Sequence, residues 1–167
     1  MRKIIKNKNN LKEEEITEIV KRVKVLLINS KQEILLAYSH NKYQFPGGHV
    51  EEGEQLIDTL NREINEEIGI NLNLKNLKPF ACAIGYHKDH PEKGQNRKTE
   101  IYYYEIRTDE VPNLNNTSYT KHEKEGNFEL RYIPINDVKE ILEYNAKVDN
   151  NKIAIEMLEL FKVYKIN

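Results

Sequence analysis

The sequence predicts an α/β fold, a sandwich in which a mixed sheet lies between helices. Three observations support this prediction: apolar β-branched runs early in the chain, a helix with one apolar face in the middle, and helical patterns after the last strands. The chain has 167 residues, of which 38% are hydrophobic, and this suits one globular core. We therefore expect a single domain over residues 1–167.

The strands are predicted from short apolar runs and from the turns between them. Residues 23–29 and 33–38 are separated by Ser30, Lys31 and Gln32, a pattern typical of a hairpin. Three further strands are predicted over residues 80–86, 99–107 and 130–135. Residues 1–20 receive no assignment, because their second half fits either a helix or the approach to the first strand.

The central helix is predicted to begin near Glu54 and to end at Gly69, which suits a left-handed C-terminal cap. Its apolar residues recur every three or four positions and form one stripe: Ile57, Leu60, Ile64 and Ile68. A second helix is predicted from residue 136 to about residue 144. The last helix is predicted from an apolar stripe of the same spacing: Ala154, Met157, Leu158 and Phe161.

Charge and cysteine usage restrict the functional classes. With 26 basic and 27 acidic residues the net charge is −1, so no global field attracts a nucleic acid polymer or an anionic membrane. No segment has the roughly eighteen apolar residues needed to cross a bilayer. Cys82 is the only cysteine, so we expect a buried apolar role and a reducing, cytoplasmic location. Oligomeric state stays open, with a homodimer as one alternative.

Three glutamates on the central helix predict a metal site. At about 100° of rotation per residue, Glu63, Glu66 and Glu67 share roughly a third of the helix circumference. Each such like-charge pair costs an isolated helix about 0.2–0.5 kcal/mol, so the face is unfavourable without a cation. Carboxylate oxygens favour Mg²⁺ or Mn²⁺ over Zn²⁺. A solvated acidic face is the alternative, and the surrounding residues argue against it.

The surrounding residues form one fixed pattern, Gly48-x5-Glu54-x7-Arg62-Glu63-Ile64-x-Glu66-Glu67-x-Gly69-Ile70. From Gly48 to Ile70 this segment resembles the Nudix box, the signature of Nudix hydrolases, with every fixed position filled. Residues 43–48 are similar to the strand and tight turn that precede the box, and the resemblance extends more loosely over residues 23–142. It implies a mixed sheet between helices, in agreement with the strand and helix patterns.

The resemblance also implies an activity, the metal-dependent hydrolysis of a phosphoanhydride bond in a nucleoside diphosphate linked to another group. Mg²⁺ is the expected cofactor, and Mn²⁺ is expected to substitute for it. A nucleoside triphosphate, including an oxidised one, is the first expectation for the small-molecule substrate. A diadenosine polyphosphate, a nucleotide sugar and a non-catalytic nucleotide-sensing domain are the alternatives.

Residue roles follow from the same resemblance. Glu63, Glu66 and Glu67 are expected to bind the metal, and the Gly47 carbonyl is expected to add a ligand. Arg62 is expected to orient a catalytic glutamate.

The sequence does not determine which residue is the general base. Glu63 is one candidate, and Glu125 is the first candidate from a later loop because it lies just before the strand 130–135. Glu123 and Glu129 remain rivals. For Glu54 a structural role at the start of the helix is favoured over catalysis. Phe45 and Tyr86 are alternatives for stacking on a base, and the histidines have no spacing that predicts a metal site.

Overall fold

A computed structural model describes residues 1–164, which form a mixed seven-stranded sheet with helices on both faces. The strands are β1 Arg2–Lys6, β2 Glu18–Ile28, β3 Glu33–Ser39, β4 Lys42–Gln44, β5 Ala81–His87, β6 Arg97–Arg107 and β7 Glu129–Pro134. The helices are α1 Leu56–Ile68, α2 Lys121–Glu125, α3 Ile135–Val148 and α4 Lys152–Val163. Two short 3₁₀ turns lie at Glu13–Glu15 and Leu114–Asn116. The predicted α/β fold with a mixed sheet between helices is confirmed.

The strand order is β1-β5-β6-β2-β3-β4, and β7 pairs with β3 outside this path. β1 pairs with β5, and β2 with β6, in parallel, whereas the remaining pairs are antiparallel. β2 is therefore a central strand. The loop after β4 runs beside the first half of β2. There the Val23 amide donates to the Gly48 carbonyl, and the Val25 amide donates to the Pro46 carbonyl.

Two apolar clusters fill the space between the sheet and the helices. On one face, α1 packs its predicted stripe against β2 and β6 through Leu60, Ile64 and Ile68. On the other face, α3 and α4 bury Leu142 and Met157 against β2, β3 and β6. Alternate side chains of β2 point to opposite faces, so this strand contributes to both clusters.

The structure extends and corrects several sequence predictions. The unassigned N-terminal segment contains strand β1, which is too short and too rich in lysine and arginine to be recognised by composition. The central helix begins at Leu56, two residues after Glu54, and ends as predicted at Gly69, whose φ is 74°. Phe45 does not face a ligand: it is 1% exposed and packs edge-on against Tyr103 and Phe161. Cys82 is buried as expected.

No helix within residues 1–164 is both long and apolar enough to span a bilayer.

Candidate active site

The largest cleft described has a volume of about 860 Å³ and lies where α1, the turn after β4 and β2 meet. The segment around α2 forms its opposite wall through Ser118, Thr120 and Glu123. All four predicted metal ligands line this cleft: Gly47, Glu63, Glu66 and Glu67. The cleft is therefore the place where the residues of the sequence pattern come together.

Two glycines allow the carboxylates of α1 to reach the edge of the sheet. Gly47 has a φ of 121°, and its amide donates a 2.7 Å hydrogen bond to Oε2 of Glu67. At Gly48 an added Cβ would lie 2.4 Å from Oε1 of Glu63, so any side chain there would displace this carboxylate. Glu63 is 8% exposed and Glu67 is 4% exposed. The turn and the helix thus hold two nearly buried acids side by side.

Arg62 connects four oxygen-bearing groups at the rim of the cleft. Its Nη1 donates to Glu63 Oε1 at 2.9 Å and to Glu66 Oε2 at 3.1 Å. One guanidinium group therefore holds both carboxylates. Its Nε donates to Glu54 Oε1 at 2.8 Å, and its Nη2 donates to Glu54 Oε2 and to the His49 carbonyl. The structure therefore brings Arg62 and Glu63 together as expected, in a geometry that orients the carboxylate.

Lys24 is a site residue that the sequence reasoning missed. Its Nζ donates to the Gly47 carbonyl, the expected metal ligand, and to Oε1 of Gln44 at 3.4 Å. Lys24 lies on β2 between the buried residues Val23 and Val25. The sequence contained one indication of this role: Lys24 lies between two valines in a predicted strand, and a lysine in a central strand requires a polar partner.

Burial and charge shift the proton affinities of these groups in opposite directions. Burial raises the pKa of Glu67 and of Glu63, and the charges of Lys24 and Arg62 oppose this shift. Burial also lowers the pKa of Lys24, and the charge of Glu67 opposes this. Arg62, mainly through its hydrogen bonds, holds the pKa of Glu54 at about 2. The cleft is thus an acidic site whose negative charge is only partly offset by Lys24 and Arg62.

The donor set fits a hard divalent cation, although the side chains do not enclose one. Within residues 1–164, no three acidic, imidazole or thiol groups stand in a geometry that would hold an ion. Arg62 holds Glu63 and Glu66, and the Lys24 ammonium takes the position of a cation beside the Gly47 carbonyl. Carboxylate and carbonyl oxygens are the ligands that Mg²⁺ and Mn²⁺ prefer.

The structure does not bring Glu125 to the cleft. α2, a five-residue helix that the sequence did not reveal, turns Glu125 into solvent, where its side chain is 59% exposed and 3.7 Å from Lys121. Residues two apart in a helix point about 200° apart, so Glu123 faces the cleft instead. Its Oε2 accepts hydrogen bonds from the Thr120 amide and hydroxyl.

Glu129 is also turned away from the cleft. It pairs in register with Tyr38, while the neighbouring Ser39 lines the cleft from the other face of β3. Successive strand residues face opposite sides, so Glu129 lies on the far face of the sheet, where it binds Arg131. Of the three candidates Glu123, Glu125 and Glu129, only Glu123 lies near Glu67 and Lys24.

Tyr86, the second aromatic candidate, lies outside this cleft in the wall of another cavity, and within residues 1–164 the histidines form no metal site. The Tyr86 hydroxyl donates to Glu13, and Lys98 lies 5.6 Å above its ring. His49 accepts from Arg22 Nε at 3.1 Å, and His122 stacks on His40 with ring centroids 4.4 Å apart.

An acidic helix facing a glycine turn at the edge of a mixed sheet is the arrangement that the resemblance to the Nudix hydrolases implies. Residues 19–155 match the NUDIX domain, and the chain belongs to this family. Nudix hydrolases generally use divalent metal ions and act on small nucleotides.

The relatives are similar at low identity. An RNA pyrophosphohydrolase of Ruthia magnifica is 41% identical over 29% of this chain and 28% of its own length. An 8-oxo-dGTP diphosphatase of Buchnera aphidicola is 28% identical over 53% of this chain and 57% of its own. The chain thus spans well under two thirds of both relatives. An RNA pyrophosphohydrolase of Helicobacter pylori (strain P12) is 31% identical over 67% of this chain and 72% of its own.

Two solved structures share the fold. A MutT protein from Bacillus halodurans is 20% identical with a TM-score of 0.54, covering 83% of this chain and 82% of its own. DR0079 from Deinococcus radiodurans is 20% identical with a TM-score of 0.56, covering 88% and 83%.

Proposed function

We propose that this chain hydrolyses a phosphoanhydride bond in a nucleoside diphosphate linked to another group, with a nucleoside triphosphate, oxidised or not, as the first substrate class. The observation that carries the proposal is the pair of nearly buried carboxylates, Glu63 and Glu67, held against Gly47 and Gly48 beside Lys24. Bare carboxylates would repel a diphosphate, so cations must neutralise the site before substrate binds.

The residues divide into a metal-binding set and a proton-handling set. Glu63, Glu66, Glu67 and the Gly47 carbonyl would hold Mg²⁺, or Mn²⁺ in its place, which supplies charge neutralisation of phosphoryl oxygens and activation of water. Arg62 would position Glu63. Lys24 would move from the Gly47 carbonyl to a phosphate oxygen, since a flexible ammonium binds phosphate as a point charge.

The proton of the attacking water needs an acceptor within the cleft. In hydrolysis the water oxygen forms a new bond to phosphorus, the bond to the bridging oxygen breaks, and a proton leaves the water. Glu63 and Glu123 both line the cleft and would be the candidates to accept this proton. From the later segment we propose Glu123 in place of Glu125, the first candidate from the sequence; Glu123 would release Thr120 or use its second oxygen.

A panel assay tests the proposal directly. The protein would be incubated with nucleoside triphosphates, 8-oxo-dGTP, a diadenosine polyphosphate and a nucleotide sugar, with Mg²⁺ or Mn²⁺, and the release of phosphate, pyrophosphate and nucleoside mono- or polyphosphate products would be measured. We expect turnover of at least one substrate and none after chelation of the metal. A lack of release from every substrate with both metals would overturn the proposal and favour a nucleotide-sensing domain.

A second candidate substrate is an RNA that carries a terminal pyrophosphate bond. Two of the relatives described above are RNA pyrophosphohydrolases. The net charge of −1 weighs against it, because a polymer would find no general basic surface. Adding a 5′-triphosphorylated oligonucleotide to the panel separates the two: preference for the oligonucleotide over the matching mononucleotide would favour RNA.

A further inference from the structure

A second cavity of about 420 Å³ lies beside the cleft, between the sheet and α4. Its floor contains Ile4, Ala83 and Ile101, which are direct partners across β1, β5 and β6. Direct partners in a sheet point to the same face, so these three side chains form one row. Each is only half-buried. All three side chains also pack against the apolar cluster on this face, and the part of each that stays exposed forms the apolar floor of the cavity.

This floor is continuous with the candidate active site. The next residue of the row is Arg22 on β2, which pairs with Ile101 and lines the active-site cleft. Ala83 lies two strands from Arg22, a separation of about 10 Å at the usual spacing. A nucleotide whose phosphates lie near Arg22 would place its base over Ile101 and Ala83.

Glu156 is one of the charged side chains that line this cavity. It lies on α4, one turn after Ile153, which belongs to the active-site cleft. Arg22 and His87 are near enough to act on it electrostatically. Within residues 1–164, however, the side-chain carboxylate of Glu156 forms neither a hydrogen bond nor an ion pair. A half-exposed carboxylate beside an apolar floor is an acceptor available to a ligand.

We propose that this cavity binds guanine, with the ring over Ile101 and Ala83 and the Glu156 carboxylate accepting two hydrogen bonds from its edge. The proposal rests on the proposed function for the position of the phosphates. Guanine presents two adjacent donors, N1–H and the 2-amino group, which match the two oxygens of a carboxylate. Adenine presents an acceptor at N1, which would face a carboxylate oxygen without a proton. Guanosine nucleotides are therefore the selected substrate class.

The test is direct binding of guanosine monophosphate and adenosine monophosphate, measured by calorimetric titration of the intact protein. Wild type should bind the guanosine nucleotide at least about tenfold more tightly. Glu156→Gln should abolish this preference, because the amide replaces one acceptor by a donor. Equal binding of both nucleotides by wild type, or an unchanged preference in Glu156→Gln, would overturn the proposal.

Glu159→Gln is the matched control inside the same cavity, because Glu159 also lines it, one turn further along α4, but its carboxylate already accepts a 2.7 Å hydrogen bond from Lys162. This variant should keep the guanosine preference. A preference lost in both variants would indicate a general charge effect and would count against the contact with Glu156. Equal thermal melting of the three proteins excludes a folding defect as the cause.

Hydrolysis of GTP and ATP separates this proposal from the proposed function. Faster turnover of GTP that Glu156→Gln removes supports both. Equal turnover of the two triphosphates, together with equal binding, overturns the guanine site and leaves the hydrolase intact. Selective binding of the guanosine nucleotide without any hydrolysis supports the guanine site and contradicts the proposed function.

Discussion

Glu67 and Glu63 are nearly buried, and neither carboxylate is paired with a full counter-charge of its own. Burial raises the pKa of both carboxyl groups, which shows that the charged forms are disfavoured in the bare protein. A protein retains such a site when a ligand supplies the missing charge. At the residue scale this supports the proposal that the cleft binds a cation that the chain itself does not provide.

We expect Glu67→Gln to reduce turnover at least about a hundredfold while the protein remains folded. The amide keeps the size of the side chain but removes the negative charge that faces Lys24 and the metal. Glu63→Gln should behave in the same way. Steady-state hydrolysis at saturating Mg²⁺ measures the effect, and Glu52→Gln, an exposed residue of the preceding loop, is the control. Near-normal activity of either site variant would place the metal elsewhere.

A kinetic comparison should distinguish the roles of Glu123, Glu125 and Glu129. Glu123→Gln should lower kcat by about 10²–10⁴-fold with little change in KM if Glu123 accepts the proton of water. Glu125→Gln and Glu129→Gln should stay close to wild type, because their side chains lie in solvent beside Lys121 and Arg131. A large loss of kcat in Glu125→Gln would instead show that α2 rearranges when substrate binds.

At the element scale, periodicity made most of the fold predictable. α1 carries its apolar stripe over three turns, and the sequence pattern located α1 and β6 within two residues at each end. It located only the apolar second half of β2, because the first five residues of this strand are mostly charged or exposed. β1 and α2 escaped because five residues are too few to show a period.

The site was predictable only where local sequence determines it. Glu63, Glu66 and Glu67 were found because a helix fixes their relative directions. Lys24 contacts Gly47 across 23 positions, and the choice between Glu123 and Glu125 depends on the rotation of α2. Neither fact is encoded in the spacing of neighbouring residues.

The start of α1 is held by the ion pair between Glu54 and Arg62, which predicts a pH-dependent contribution to stability. Hydrogen bonds from Arg62 lower the pKa of Glu54 from 4.5 to about 2. The contribution is therefore fully present above pH 4.5 and is lost as the pH falls through about 2.

Glu54→Gln should lower the free energy of unfolding by about 1 kcal/mol at pH 7, and the difference from wild type should shrink between pH 4.5 and 2. Urea unfolding at pH 7, 4 and 2.5 measures it, with Glu52→Gln as the control. A difference that stays constant over these pH values would show that the charge of Glu54 does not stabilise the fold.

Two buried asparagines connect α3 and α4 to β4, the strand that leads into the glycine turn. Asn145 Oδ1 accepts from the Tyr43 amide at 2.9 Å, and Asn151 Nδ2 donates to the Tyr43 carbonyl at 2.8 Å. Asn151 also caps α4 by accepting from the Ile153 amide. Asparagine is frequent throughout this chain, so nothing in the sequence marked these two.

Asn151→Ala should therefore destabilise the protein by about 2–3 kcal/mol, because it removes a helix cap and leaves the Tyr43 carbonyl of β4 without this donor. Lys152→Ala, one residue later and exposed, should have an effect within about 0.5 kcal/mol. Thermal unfolding of both variants measures the difference. Equal stability would show that water replaces the asparagine in this network.

At the scale of the whole molecule, metal binding and folding stability are coupled. The acidic pair is formed only when α1, β2 and the glycine turn are assembled, so an ion that needs all of them binds the folded chain alone. Such an ion adds RT ln(1 + [L]/Kd) to the free energy of unfolding, about 2.7 kcal/mol at one hundred times Kd. For a chain of this size that corresponds to a rise in Tm of about 5–10 °C.

We expect this rise for wild type on addition of Mg²⁺ or Mn²⁺, and little or none for the double variant Glu63→Gln, Glu67→Gln. The double variant should also be the more stable of the two without metal, because it lacks the cost of placing two carboxylates in a nearly buried site. Scanning calorimetry with and without metal measures both effects, and Na⁺ at equal ionic strength controls for screening. Equal metal-induced shifts in the two proteins would mean that the ion binds outside this cleft. A double variant less stable than wild type without metal would mean that Arg62 and Lys24 already compensate the two charges, which leaves the ion with a purely catalytic role.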